Sequence, residues 1–350
     1  MLNQGFLKEG IMKEFKGYKK GINLGGWFSQ CDNSEKRYDN FIKEDDFKRI
    51  SKWGLDHVRI PVDYNLVQNL DGTFKESGFK RIQDCIDWCK EYNLNMILDL
   101  HKTIGFSFDS GEKESGFFDN EKYQDYFYSL WLEFTKRFSF NDNIAFELLN
   151  EIDDYEYKDK WNEIARKCVN NIRIINPNIK ILIGGYYYNS ATAIKDLDLP
   201  YDENIVYNFH CYSPLIFTHQ GAYWIDKMDT NFRMHFDEST NKYEEYTNKY
   251  IGEKHVDRFK KNSIIDESYF EDLFKETIEI CENRNVSLYC GEYGVIDRAD
   301  SIDIIKWMKC INNVFNKYNI GRALWSYKEM DFGLVDAHYD DIREQLIKLL

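Results

Sequence analysis

The chain has 350 residues, 43% hydrophobic and 30% charged, with a formal net charge of −14. This is a globular rather than a disordered composition, and so acidic a surface repels phosphate polymers, which excludes nucleic acid and disfavours polyanionic sugars as partners. Only 4 Pro are present, ruling out long proline-rich linkers, and the length fits either one large domain of the size that α/β barrels reach or two ordinary ones.

In chain order, short β-rich runs alternate with amphipathic stretches. Strands are predicted at 21–25, 57–60, 95–100, 144–149, 179–184, 205–209, 287–291 and 322–325. Helical spacing lies between them, as at 79–92, where Ile82, Cys85, Ile86 and Cys89 share one face, at 161–175, and again at 342–350. Runs such as Met96-Ile97-Leu98 are apolar on both faces, as parallel strands buried under helices are. About eight such units predict an α/β fold, a closed (β/α)8 TIM barrel spanning 1–350 as a single domain. One segment, 213–266, is too long for a crossover and carries Phe217, Trp224, Phe232 and Phe236. It reads as a small helical insertion after strand six, walling or lidding a cleft, because loops at that end of a barrel build the site.

The 8 cysteines are scattered without a Cys-x-x-Cys pair, which points to reduced, buried thiols. The first ten residues hold no apolar leader and no run approaches a membrane span. The expected location is cytoplasmic, or secreted if a leader has been removed, with no membrane partner. Gly184-Gly185 gives only a close turn, and no glycine-rich phosphate fingerprint follows a strand, so no cofactor is expected.

In such a barrel the residues at the carboxyl ends of the strands converge on one face. Those positions hold Arg59, His101, Asn150-Glu151, His210, Tyr212, Glu292 and Trp325. Glu151 and Glu292 lie on strands that face each other across the barrel. Two carboxyls about 5–5.5 Å apart suit double displacement at an acetal, one as nucleophile and the other as acid then base. Arg59 and Tyr212 favour the Glu292 anion, while burial beside a second carboxylate lets Glu151 keep its proton. Asn150 is placed to bond a sugar 2-hydroxyl, and Trp325 offers a flat floor under the reacting ring. His101 and His210 have no third ligand at zinc-like spacing, so no metal is expected. Aromatic residues make up 17% of the chain. Most are core, and Trp27, Phe106, Phe108, Tyr212, Trp224 and Trp325 form the candidate set for a cleft wall.

Asp56-His57-Val58-Arg59-Ile60-Pro61, Leu149-Asn150-Glu151, Asn208-Phe209-His210-Cys211-Tyr212, Gly291-Glu292-Tyr293-Gly294 and Trp325-Ser326-Tyr327 resemble glycoside hydrolase family five, the cellulase family of clan A. The resemblance runs from Gly21-Ile22-Asn23-Leu24-Gly25-Gly26-Trp27 to Met330-Asp331-Phe332. It implies a (β/α)8 barrel and a retaining mechanism, with Glu151 as acid/base and Glu292 as nucleophile. Arg59, His101, Asn150, His210, Tyr212 and Trp325 support them. Phe217-Thr218-His219-Gln220 and Tyr223-Trp224 are similar to compact clostridial endoglucanases and lichenases with a helical subdomain after strand six. Those tend to carry a second His after the strand-three His, whereas here Lys102 follows His101. That stretch looks more like a subgroup that includes β-mannosidases.

The expected activity is hydrolysis of β-1,4-linked neutral gluco- or manno-oligosaccharides, β-glucan or β-mannan. An exo-acting β-mannosidase trimming mannosyl-β-1,4-N-acetylglucosamine units is the alternative within the class. A non-catalytic carbohydrate-binding barrel and a metal-dependent barrel enzyme are the rivals outside it.

Overall fold

The computed structural model describes residues 12–109, 114–252 and 257–350. The N-terminal stretch read above for a leader and residues 253–256 of the expected insertion lie outside the described residues. Eight parallel strands close into a barrel: β1 (Lys20–Asn23), β2 (His57–Asp63), β3 (Asn95–Lys102), β4 (Ile144–Glu147), β5 (Lys180–Ile183), β6 (Ile205–Cys211), β7 (Ser287–Tyr293) and β8 (Gly321–Leu324), with β8 pairing back onto β1. Every expected strand is present. β2, β3, β6 and β7 run past their expected ends, so His101, His210 and Glu292 sit inside strands rather than just beyond them, and Arg59 lies well within β2 rather than at its end. Their polar groups find partners within the barrel mouth, so the chain there need not turn out to water.

The outer layer follows from helical spacing and capping. In helix Glu121–Phe138, Phe127, Leu130, Trp131, Phe134 and Phe138 are buried on one stripe. Asn120, Asp266 and Asp300 accept from the backbone N–H two residues on, satisfying orphan donors at the starts of helices Glu121–Phe138, Glu267–Arg284 and Ser301–Lys317. Trp131, Trp161 and Trp307 are fully buried between helices and strands, where truncation of such a ring to Ala costs about 3–5 kcal/mol. All eight cysteines are free thiols, Cys31 and Cys310 being the two that are not fully buried.

Inside the barrel, side chains alternate in and out along each strand. The lowest inward layer is apolar: Ile97, Ala145, Leu182, Val206, Tyr289 and Ala323, closed from beneath by Phe15 and Tyr18, stacked at 4.2 Å. His57 shares this level and bonds the Tyr289 hydroxyl at 2.7 Å. Two residues further along β1, β2, β3, β4 and β6 the inward layer turns polar, with Asn23, Arg59, Asp99, Glu147 and Asn208, all buried. The mouth lies one step above.

Between β6 and helix Glu267–Arg284 the chain makes a short helix Leu215–Thr218, an irregular stretch, and helix Thr240–Tyr250. Phe217, Phe236 and Tyr243 pack its interior. The Trp307 indole N–H, donating to Ser213 O at 3.0 Å, fastens the base of this segment to the outer helical layer.

Candidate active site

Arg59 organises the polar layer. Its Nε donates to Glu147 at 2.7 Å, one terminal nitrogen to Asn23 (2.9 Å) and Glu292 (2.8 Å), and the other to Glu147 (2.8 Å) and Asn150 (2.9 Å). All five N–H donors are thereby used, and Asp99 stands 3.0 Å away as a third carboxylate. Burial works against the guanidinium charge, yet Asp99, Glu147 and Glu292 hold its pKa well above the ordinary value. One cation faces three acids. Burial therefore wins at the acids, and Asp99 and Glu147 are both pushed up to about 7, against the opposing pull of Arg59.

Glu292 rises from this layer to the mouth through an irregularity in β7. The register slips so that Phe209 pairs with Cys290 but His210 pairs with Glu292. The bulge re-aims one side chain, and Gly291 makes it sterically feasible, since a Cβ there would lie 2.8 Å from both Asn208 Oδ1 and His210 Nε2. Glu292 accepts from Arg59 at 2.8 Å and from the Tyr212 hydroxyl at 2.8 Å. Glu151 stands beyond the end of β4 with φ of 28°, a left-handed backbone that is strained for a side-chain-bearing residue and that clusters at functional sites. Its bonded partner is His210 Nδ1 at 2.7 Å. An oxygen of Glu151, an oxygen of Glu292 and a ring nitrogen of His210 all lie within 4.8 Å of one another.

The charges separate the two acids. Burial pushes Glu151 up, the Glu292 charge adds to it, and the carboxyl stands well above the ordinary range. Burial also raises Glu292 above the ordinary range, with Arg59, His101 and the Tyr212 hydrogen bond opposing the rise. Burial holds His210 well below its ordinary value, helped by Arg59 and His101, so its contact with Glu151 is a neutral hydrogen bond. His101 is lowered to about 3, chiefly by burial, and its Nδ1 bonds Asp99 at 2.6 Å. Glu151, His210 and Glu292 are, among the described residues, also the group whose ligand atoms come close enough to share a metal ion. Glu292 already accepts from Arg59 and Tyr212 through its two oxygens.

Above the acids opens a cleft of about 860 Å³. His101, Tyr212, Trp325 and Phe108 line it, with Trp224 from the segment after β6. The His101 and Trp325 rings are parallel within 3°, and Phe108 meets His101 edge-on at 4.9 Å. Gly25 leaves the space that the Trp325 ring fills, since a Cβ there would lie 2.7 Å from it. Asn150 gives its oxygen to Arg59 and keeps Nδ2 buried without a protein partner.

Two expected wall residues are corrected. Trp27 is 2% exposed, stacks on Phe28 at 3.8 Å and donates to Tyr38 O, so it is packing outside the cleft. Phe106 is likewise buried, edge-on to Phe118 at 5.4 Å. Sequence reasoning also missed Asp99, Glu147 and Asn208, and, in the wall, Tyr188, Asp109, Met330 and Phe332. Polar residues flanked by apolar ones within strands, as in Leu98-Asp99-Leu100, were the available signal for the first three.

Two buried acids of unequal proton affinity, under an aromatic cleft at the carboxyl end of a parallel barrel, define a sugar-cleaving hydrolase. The family profile for Cellulase (glycosyl hydrolase family 5) matches residues 16–331, and the chain belongs to that family of O-glycosyl hydrolases. Cellodextrinase A of Ruminococcus flavefaciens is 48% identical over 312 residues, 89% of this chain and 86% of that protein. Endoglucanase C of Acetivibrio thermocellus is 38% identical over 341 residues, 95% of this chain and 98% of that protein. The fold matches that of Thermotoga maritima Cel5A in complex with cellobiose, with a TM-score of 0.76 at 21% identity over 95% of this chain and 97% of that one.

Proposed function

We propose that this chain hydrolyses β-1,4-linked gluco-oligosaccharides with retention of anomeric configuration. The observation that carries the reading is the tight grouping of Glu151, His210 and Glu292, whose ligand atoms lie within 4.8 Å of one another. That spacing is short for a water molecule between the carboxyls and suits direct attack, which needs about 5–5.5 Å. Glu292, held as an anion by Arg59 and Tyr212, attacks the anomeric carbon. Glu151 gives its proton to the leaving oxygen and then takes one from the incoming water. Neutral His210 orients Glu151 without neutralising it. The free Nδ2 of Asn150 suits a hydroxyl beside the reacting carbon, and Trp325 suits the face of the ring above it.

The names of the 48% and 38% identical relatives, a cellodextrinase and an endoglucanase, support glucose over mannose in the chain to be cut. The test is proton NMR of cellotetraose hydrolysis. The β-anomer is expected first, mutarotating later. Initial α-anomer would overturn retention, and cleavage of manno- but not cello-oligosaccharides would overturn the substrate.

A further inference from the structure

Tyr155, Tyr187 and Tyr188 hold their rings out to solvent, 42%, 47% and 50% exposed. Adjacent exposed rings of this size mark an interaction surface more often than scattered ones do. Two of them are also held in place. Tyr155 accepts from Lys158 Nζ at 2.9 Å and packs edge-on against Tyr186 at 4.9 Å. Tyr187 meets the same Tyr186 edge-on at 5.0 Å, which leaves the Tyr155 and Tyr187 rings within 27° of parallel. Tyr186 is itself a buried wedge whose hydroxyl bonds Asp196. Rings fixed in advance lose little freedom when a ligand stacks on them.

The backbone that presents them is costly. Tyr187, Tyr188 and Asn189 are successive left-handed residues, with φ of 50°, 57° and 54°. Non-glycine residues rarely do this in series, and such strain persists where the surroundings fix it and collects at ligand sites. Here the Tyr188 N–H donates to Ile152 O at 2.9 Å, tying the turn to the residue after Glu151. Tyr187 and Tyr188 line the cleft, and Tyr155 continues the surface outward.

Glu151 is the acid in the function proposed above, so its side of the cleft receives the departing part of the chain. We propose that Tyr155, Tyr187 and Tyr188 form a stacking ledge for glucose units on the leaving-group side of the scissile bond. Cleavage then becomes more efficient with each unit that reaches the ledge. The inference rests on the β-glucan reading of the same site. Continuity with the cleft favours a sugar chain over a protein as occupant, and so does the makeup of the ledge, which is tyrosine rather than aliphatic.

The experiment measures kcat/KM for wild type, Tyr155→Ala, Tyr187→Ala and the Phe variant of each. Substrates are nitrophenyl β-cellobioside, whose leaving group is a single ring, and cellotetraose through cellohexaose. Wild-type efficiency should climb with chain length. Both Ala variants should lose about 5- to 10-fold on cellohexaose, while the Phe variants keep the ring and the activity. For Tyr155→Ala the loss should be confined to the longer chains. Equal losses on short and long substrates would make the rings structural and overturn the ledge. Unchanged cellohexaose cleavage in both Ala variants would overturn it too, leaving a protein-binding patch. A wild type that cuts cello-oligosaccharides without regard to length overturns the ledge alone. A wild type that cuts none of them overturns the β-glucan reading and the ledge with it.

Discussion

The two sides of the barrel mouth hold the same functional group in opposite ways. On one side Glu292 belongs to a strand, is aimed by a bulge, and accepts from a saturated guanidinium and a phenol. On the other, Glu151 belongs to a left-handed turn outside the sheet and is bonded to a neutral imidazole. In the proposed mechanism the anion is thus fixed by charge and the acid by shape. A single carboxylate chemistry is divided into two tasks by its surroundings, and each task can be broken separately.

The largest effect is expected from removing the acids themselves. Glu292→Ala and Glu151→Ala should each reduce turnover of cello-oligosaccharides by on the order of 10⁴-fold or more. Azide tells the sides apart: it should restore activity to Glu292→Ala with an α-glycosyl azide product and to Glu151→Ala with a β-glycosyl azide. The reverse pattern in product NMR would exchange the two assignments. Next in size is Arg59→Lys, which cannot keep five directed N–H bonds. A loss of about 10²- to 10³-fold in kcat/KM is expected. Because Arg59 pulls Glu292 down, the acid limb of the pH–rate profile should also move to higher pH. Tyr212→Phe removes one hydrogen bond to the same anion, with an expected loss of about 10- to 100-fold and a smaller shift in the same direction. An acid limb that moved down in either variant would contradict the charge argument.

The smallest effect is on stability. Glu147 ionises at about 7 in the fold against an ordinary value of 4.5. A carboxyl raised on folding contributes stability that is complete below its unfolded pKa and is lost as pH rises through its folded one. The wild-type melting temperature should therefore carry a downward component between pH 4.5 and 7. Glu147→Gln should flatten it. An unchanged slope would show that Glu147 does not hold a proton in the fold.

Much of this was legible because chemistry-bearing residues sit at strand ends, where parity and topology agree. Trp325 is an instance: it follows Ala323 by two, so it keeps the inward face of β8. Trp27 and Phe106 were misplaced because a left-handed glycine precedes each, Gly26 at φ 71° and Gly105 at φ 82°, and alternation does not survive such a turn. Glu292 shows the converse. Counting by twos from the inward Tyr289 selects residue 291, and the bulge at Gly291 delivers 292 instead. Asp99, Glu147 and Asn208 obey simple alternation too, but lie within strands, where a polar residue carries no strand-end signal.

The Phe15–Tyr18 stack beneath the barrel has a consequence for proton traffic. With the lower end stoppered by rings, Asp99 and Glu147 communicate with bulk water by way of the cleft. In the proposed function, a sugar chain lying across that opening would cover the exit. A bound chain is then expected to slow the exchange of those two protons with solvent. Replacing Phe15 by a small residue should leave that exit the main one, because Ile97, Leu182 and Tyr289 still fill the barrel above it.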